Sequence, residues 1–331
     1  MRRLLSILLI LLLAALAAGA AGWWWTTQPL ALAADKVEVS VPVGASLRTA
    51  AAKAVEGGVR TRPELLAWYF RLAAREQTIK PGEYEVTRGM TPGELLDKLV
   101  RGDRIVLAVT LVEGWTFRQF REALAKAEHL THDTAGLSDE QVMQLLDRPG
   151  VHPEGRFFPD TYHYARSSGE LAVLRQSLQL MDKRLAAAWE ARAPGLPLKS
   201  PEQALILASI VEKETGRPED RADVAAVFVN RLRIGMRLQT DPTVIYGVGP
   251  RFDGDLKRSH LTADTPYNTY TRAGLPPTPI AMPGKASLMA AVQPSGSKAL
   301  YFVARGDGSS HFSQSLDEHN RAVNRYQRGI R

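Results

Sequence analysis

The sequence predicts an α+β protein with one membrane-spanning helix at its amino terminus and a mainly helical body carrying short strands. Three observations predict it. Leu4 to Trp25 is an unbroken run without a charge. From Lys36 to Val112, short stretches of alternating apolar residues each lead into a turn and a helix-capping signal. Beyond Leu171 the apolar residues recur mostly at helical spacing.

The uncharged run is long enough to cross a hydrocarbon core of about 30 Å, for which roughly 20 helical residues suffice. Residues 1–3, with Arg2 and Arg3, form a short tail that favours a cytoplasmic amino terminus; Trp23, Trp24 and Trp25 suit the far interface. The body then lies outside the cytoplasm, anchored to the cytoplasmic membrane. Ala31-Leu32-Ala33 resembles a signal-peptidase site, but the run is longer than a signal core and the tryptophans follow it directly, which favours a retained anchor at 4–25 and a linker at 26–35.

Val37, Val39, Val41 and Val43 alternate as a half-buried strand, with Ser46 as N-cap of the next helix. A helix rich in Leu and aromatics (Leu65, Leu66, Trp68, Tyr69, Phe70, Leu72) follows. Tyr84 and Val86 lead to a capping box at Thr91 and Glu94, and Val109 to Val112 lead to another at Thr116 and Gln119. Phe117 to Leu146 reads as largely helical, with Ser138-Asp139-Glu140 starting a second helix. The loop Glu154 to Tyr162 carries aromatics that suit either sugar stacking or packing. Leu171, Leu174, Leu178, Met181 and Leu185 mark a helix closed by Ala193-Pro194-Gly195. Farther on, Thr215 is expected to cap a helix whose first turn holds Pro218, Glu219 and Asp220, and Val244-Ile245-Tyr246 reads as a short strand. Ala286 to Val292 reads as a helix, Leu300 to Val303 as a strand and Glu318 to Gln327 as a terminal helix.

Composition limits the function. At 331 residues and 45% hydrophobic the chain folds around a sizeable core, and the length suits about two domains. Without cysteine there is no disulfide, thiolate metal site or cysteine nucleophile. The 42 basic residues are interleaved with 35 acids, a solvated surface with no support for nucleic acid. No nucleophile elbow, Walker loop or dinucleotide fingerprint occurs, and His129 and His132 lack a third ligand, so neither cofactor nor metal is expected.

The chemistry concentrates at Pro201 to Gly249. On a helix turning about 100° per residue, Ala204, Leu207, Ile210 and Val211 share one stripe, and Glu214 returns to within about 20° of Leu207. A carboxyl held on an apolar face keeps its proton toward neutral pH and is a candidate general acid. Phase alone leaves a second reading open, in which the stripe has ended and Glu214 is solvated in the last turn. Glu212 falls nearer the edge of the stripe. Two-carboxylate glycosidase logic asks for a partner such as Asp241, Glu219 or Asp220; a one-carboxylate scheme, in which a sugar hydroxyl attacks intramolecularly, asks for none.

The motifs Ile206 to Thr215, Val227 to Leu232 and Met236 to Tyr246 resemble the endolytic murein transglycosylases of the MltG/YceG-like family. So do Glu154-Gly155 with Pro159 to Tyr162, Tyr267-Asn268-Thr269-Tyr270, Gly274 to Pro277, Pro283-Gly284 and His319-Asn320. The resemblance implies a LysM-like βααβ module at 36–112 and a lysozyme-like catalytic domain at 113–331. It implies cleavage of the MurNAc–GlcNAc linkage in peptidoglycan glycan strands without water, leaving 1,6-anhydroMurNAc ends. Glu214 falls on the family's catalytic glutamate, and Gln239, Asp241, Asn268 and Tyr270 fall in motifs expected to form subsites. Peptidoglycan synthases are partners that only the resemblance suggests. Arg156 departs from the family's aromatic loop position, which leaves Phe157 and Phe158 for stacking. The competing functions are a hydrolytic muramidase and a non-catalytic glycan-binding anchor.

Overall fold

A computed structural model describes residues 2–74, 78–166 and 168–329. The chain divides into two compact units, Met1–Leu107 with Tyr164–Ser167, and Ala108–His163 with Ser168–Arg331.

The first unit begins with helix α1 (Arg2–Thr27), of which Ile7–Thr27 is long and apolar enough to cross a membrane. Strand β1 (Lys36–Val41), helices α2 (Leu47–Glu56) and α3 (Pro63–Ala73), and strand β2 (Gly82–Thr87) follow, then α4 (Pro92–Arg101). The strands pair antiparallel with Val39 opposite Tyr84, and the alternation read from the sequence puts Val37, Val39 and Val41 into a core with Leu66, Phe70, Tyr84 and Leu95. Val43 does not extend the strand; Pro42 follows its last residue, and Val43 is exposed. Ser46 caps α2, and the capping box of Thr91 and Glu94 starts α4. The stretch expected to be a linker is held to the unit at a few points: Leu30 is buried, its amide donates to Met90, and Ala33 and Arg60 make backbone bonds to Gly58 and Ala31.

Strand β3 (Val106–Thr110) pairs with β4 (Thr161–Ala165), and helices α5 (Phe117–Ala125) and α6 (Asp139–Leu145) start at the capping boxes of Thr116 and Ser138. The second unit is then built on α7 (Glu170–Glu190), α8 (Pro201–Glu214) and α9 (Arg221–Arg233). They are followed by α10 (Asp241–Val248), α11 (Arg258–Thr262), α12 (Lys285–Val292), strands β5 (Tyr301–Ala304) and β6 (Ser310–Ser313), and α13 (Leu316–Tyr326).

Helix α8 is central. It packs against α7, α9, α10 and α12, and every residue from Ala204 to Val211 is buried. The single apolar stripe is therefore too narrow a description, because neighbours on all sides bury the polar-edge positions as well. Even Ser209 is enclosed, its hydroxyl donating to Ile206 and accepting from the Ile280 amide.

Two local readings are corrected. Val244-Ile245-Tyr246 is helical rather than a strand: Asp241-Pro242 supplies a helix start with proline in the first turn, and packing against α8 overrides the strand preference of the three residues. Thr215 does not cap α9. It is extended, its hydroxyl accepts from the Arg217 amide, and the helix begins six residues later, after Asp220.

Candidate active site

Glu214 is the last residue of α8, where the buried helix meets a polar loop. Its side chain is half-buried. Thr240, buried just ahead of α10, donates its hydroxyl to Glu214 Oε2 at 2.6 Å. No hydrogen bond among the described residues engages Oε1. Burial raises the Glu214 pKa above the ordinary carboxyl value and the negative charge of Asp241 adds to this, while the Thr240 hydrogen bond and the Arg231 cation oppose it.

Glu212 has a different environment, although its side chain is only 7% exposed. Its carboxylate accepts from the Gly284 amide at 2.8 Å and lies 4.0 Å from the Arg221 guanidinium. Glu113 abuts the same glycine, where a side chain would collide with its carboxyl; burial and the nearby Glu212 raise the Glu113 pKa. Glu212 thus fastens the segment after Met282, and the two acids of the Glu-Lys-Glu triplet are told apart by partner rather than by helical phase.

The loop that carries Thr240 is over-determined. The Gln239 amide donates to Thr269 O, the Thr240 amide to Thr269 Oγ1, and the hydroxyls of Thr243 and Thr269 meet at 2.9 Å. Arg231, buried beneath it, donates to Leu238 O at 2.5 Å and to Leu300 O at 2.7 Å, with its guanidinium over the Tyr301 ring. Gln239 itself has φ of +49°.

Gln239 and Asp241 flank Thr240 and are both exposed. Tyr270 donates to Asp241 Oδ1 at 2.6 Å, and its own pKa is raised, by burial first and then by the Asp241 carboxylate. The structure thus brings Glu214, Thr240, Asp241 and Tyr270 into one chain of neighbours. Asn268 is placed otherwise than expected. It is 0% exposed, its amide group donates to the carbonyls of His260, Leu261 and Ala263, and its oxygen accepts from the Tyr270 amide. With its donors and its oxygen engaged, it braces the loop instead of facing a ligand.

The aromatic loop is also corrected. Phe157 and Phe158 are buried, Phe157 stacking on Phe117 at 4.9 Å, so neither is available to a sugar. Arg156 pairs with Glu202 in the first turn of α8. Glu154, read in the sequence only as part of the loop motif, is buried and accepts from the Phe117 amide and the Tyr246 hydroxyl, both at 3.0 Å. Burial lifts its pKa to about 7, against the pull of those two bonds. Thr240 and Arg231 were missed too; the only signal was their place inside motifs whose neighbours drew attention first.

The YceG-like family's sequence profile matches residues 39–325. An endolytic murein transglycosylase of Bacillus subtilis (strain 168) is 30% identical over 307 residues, 88% of this chain and 84% of that protein. One from Streptococcus pneumoniae serotype 2 (strain D39 / NCTC 7466) is 26% identical over 321 residues, 87% of this chain and 58% of that longer protein. Among solved structures, a yceG-like protein of Listeria monocytogenes superposes with a TM-score of 0.54 at 27% identity, covering 87% of this chain and 98% of that one. A profile match running from the first strand to the last helix, with a relative 30% identical across most of both sequences, establishes that this chain belongs to the YceG-like family.

Proposed function

We propose that the chain is an endolytic lytic transglycosylase, a lyase that cuts the MurNAc–GlcNAc linkage within peptidoglycan strands without water. The observation that carries this reading is Glu214. It is a carboxyl at the end of a buried helix, its pKa raised by burial, with one oxygen tied to Thr240 and the other unengaged by the described residues. Its relatives' name, endolytic murein transglycosylase, gives the substrate class.

Glu214 first donates its proton to the glycosidic oxygen, and the C1–O bond breaks with its electron pair leaving on the GlcNAc side. The C6 hydroxyl of the same MurNAc then attacks C1, and the Glu214 carboxylate takes the proton released. The product is a 1,6-anhydroMurNAc end, and the carboxyl is restored to its acid form. Intramolecular attack benefits from high effective molarity, so one carboxyl serves both steps. Thr240 acts on the middle of this cycle, where its hydrogen bond stabilises the carboxylate form. Gln239, Asp241 and Tyr270 are assigned to sugar subsites, and Asn268 to holding Tyr270 in place.

The reading extends to the rest of the chain. Residues 36–112 are assigned as a LysM-like glycan-binding module on their β1-α2-α3-β2 order, and 113–331 as the lysozyme-like catalytic region. Helix α1 is assigned as a single-pass anchor in the cytoplasmic membrane with its amino terminus inside, so that cleavage occurs where nascent strands emerge and ends their elongation beside the synthases. Asp241 supports a second reading, hydrolysis by two carboxyls, because its charge acts on Glu214. Mass spectrometry of products from purified peptidoglycan decides: anhydro ends lack the water that reducing ends contain, and reducing ends alone would overturn the transglycosylase assignment.

A further inference from the structure

Helix α3 is apolar on two faces. Leu66 and Phe70 are buried in the core of the first unit. On the other side Leu65, Trp68 and Leu72 are 40%, 59% and 65% exposed. At about 100° per residue these three fall within about 60° of one another, and Tyr69 borders them. Exposed apolar residues aligned in this way mark a surface that something covers.

The covering medium is indicated by what touches the border of the stripe. Trp25, near the end of α1, sets its ring edge-on against Tyr69 at 6.2 Å, while Trp23 and Trp24 beside it are exposed. The chain then has no slack. Leu30 is already in the core of the unit, and Ala31 and Ala33 are hydrogen-bonded to Arg60 and Gly58. The stripe therefore continues outward from the aromatic end of the apolar helix. Leu and Trp on one face, with Arg62 and Arg71 on α3 or at its cap, are the composition of a helix lying in a lipid interface, where guanidinium groups meet phosphates.

We propose that the Leu65–Trp68–Leu72 face of α3 lies on the bilayer surface from which α1 emerges, so that the first unit is seated on the membrane instead of swinging from a flexible stalk. This rests on the reading of α1 as a membrane anchor.

The absence of cysteine gives a clean test, since single cysteines can be introduced and spin-labelled in the full-length chain. The chain is reconstituted in bilayers of phosphatidylcholine and phosphatidylglycerol with a nitroxide at Leu72→Cys or, separately, at Leu12→Cys within α1. Collision rates with oxygen, which partitions into lipid, and with a water-soluble nickel chelate are compared. The expected result is that both positions gain oxygen collisions and lose chelate collisions relative to the label free in water, position 12 more strongly. A water-like label at position 72 with a lipid-like label at position 12 overturns the docking while the anchor stands. A water-like label at position 12 overturns the anchor and the docking with it. Spin–spin broadening at position 72, with little access for either reagent, assigns the face to a second copy of the chain and overturns the lipid proposal.

Discussion

A carboxyl group can act first as acid and then as base only if its proton affinity lies between extremes, and at Glu214 two opposing pairs of influences set it. Burial and Asp241 favour the acid; the Thr240 hydroxyl and Arg231 favour the carboxylate. Glu214→Gln removes the proton donor and is expected to lower cleavage at least about 100-fold, the usual contribution of a general acid being 10²–10⁴. Circular dichroism matching the native chain would show that the fold survives; native-level activity would sink the assignment. Thr240→Val removes a bond worth roughly 1.5–3 kcal/mol to the ionised form. The pKa of Glu214 then rises further, and the pH at which activity falls on the alkaline side moves upward, whereas Thr240→Ser keeps the native profile. A pH–rate series on the three chains reads this directly.

Glu154 makes a prediction about stability in place of activity. Its pKa is raised from 4.5 to about 7 in the folded chain, so the folded state holds this proton more tightly than the unfolded state does. The stabilisation is full below the unfolded value and is lost as pH rises through the folded one. Across this window Glu154 contributes a loss of up to about 3 kcal/mol. Glu154→Gln should flatten that part of the curve, as measured by denaturant unfolding between pH 4.5 and pH 8. An unchanged slope would place the shift elsewhere.

At the scale of elements, local chemistry was legible and long-range chemistry was not. Ser46, Thr91, Thr116 and Ser138 announce helix starts because each cap bonds within three residues, and the structure has a helix after each. The partial burial of Glu214 was foreshadowed by the apolar run before it, although helical phase alone left a solvated Glu214 equally open. Asn268 was not legible as a brace: its partners at 260, 261 and 263 are carbonyls, which any residue supplies, so no side-chain pattern reveals them. At α10 the local signal was mixed: Asp241-Pro242 marks a helix start, but the three strand-favouring residues after it are helical where α10 packs against α8, a contact that the sequence alone does not show. Asn268→Ala should leave those carbonyls without their donor and cost about 1–3 kcal/mol. Turnover should fall as well, through Tyr270, whose amide the Asn268 oxygen holds. A stable, fully active Asn268→Ala chain would overturn the bracing role.

For the whole molecule, the chain joins an apolar helix to its first folded unit through a stretch held by the buried Leu30 and by backbone bonds at Ala31 and Ala33. A chain beginning at Gln28 gives up the Trp25–Tyr69 contact but keeps Leu30 and the backbone bonds of Ala31 and Ala33, and should melt close to the native first unit. One beginning at Asp35 loses them and should melt earlier, though only seven residues separate the two. Differential scanning calorimetry of both truncations distinguishes a packed segment from a passive linker, since equal melting temperatures would mean that these residues hold nothing together.

Gln239, with φ of +49°, stands in the left-handed region that costs a residue bearing a side chain roughly 1–2 kcal/mol. The loop holds it there through bonds to Thr269 on one side and through Arg231 at Leu238 on the other. Part of the folding energy is thus stored as tension in the turn that delivers Thr240 to Glu214. A glycine at 239 would release that tension and leave the fold as stable or more so, yet the hydroxyl would be aimed less firmly. The native glutamine makes the chain less stable than a glycine would and holds the Thr240 hydroxyl more firmly toward Glu214.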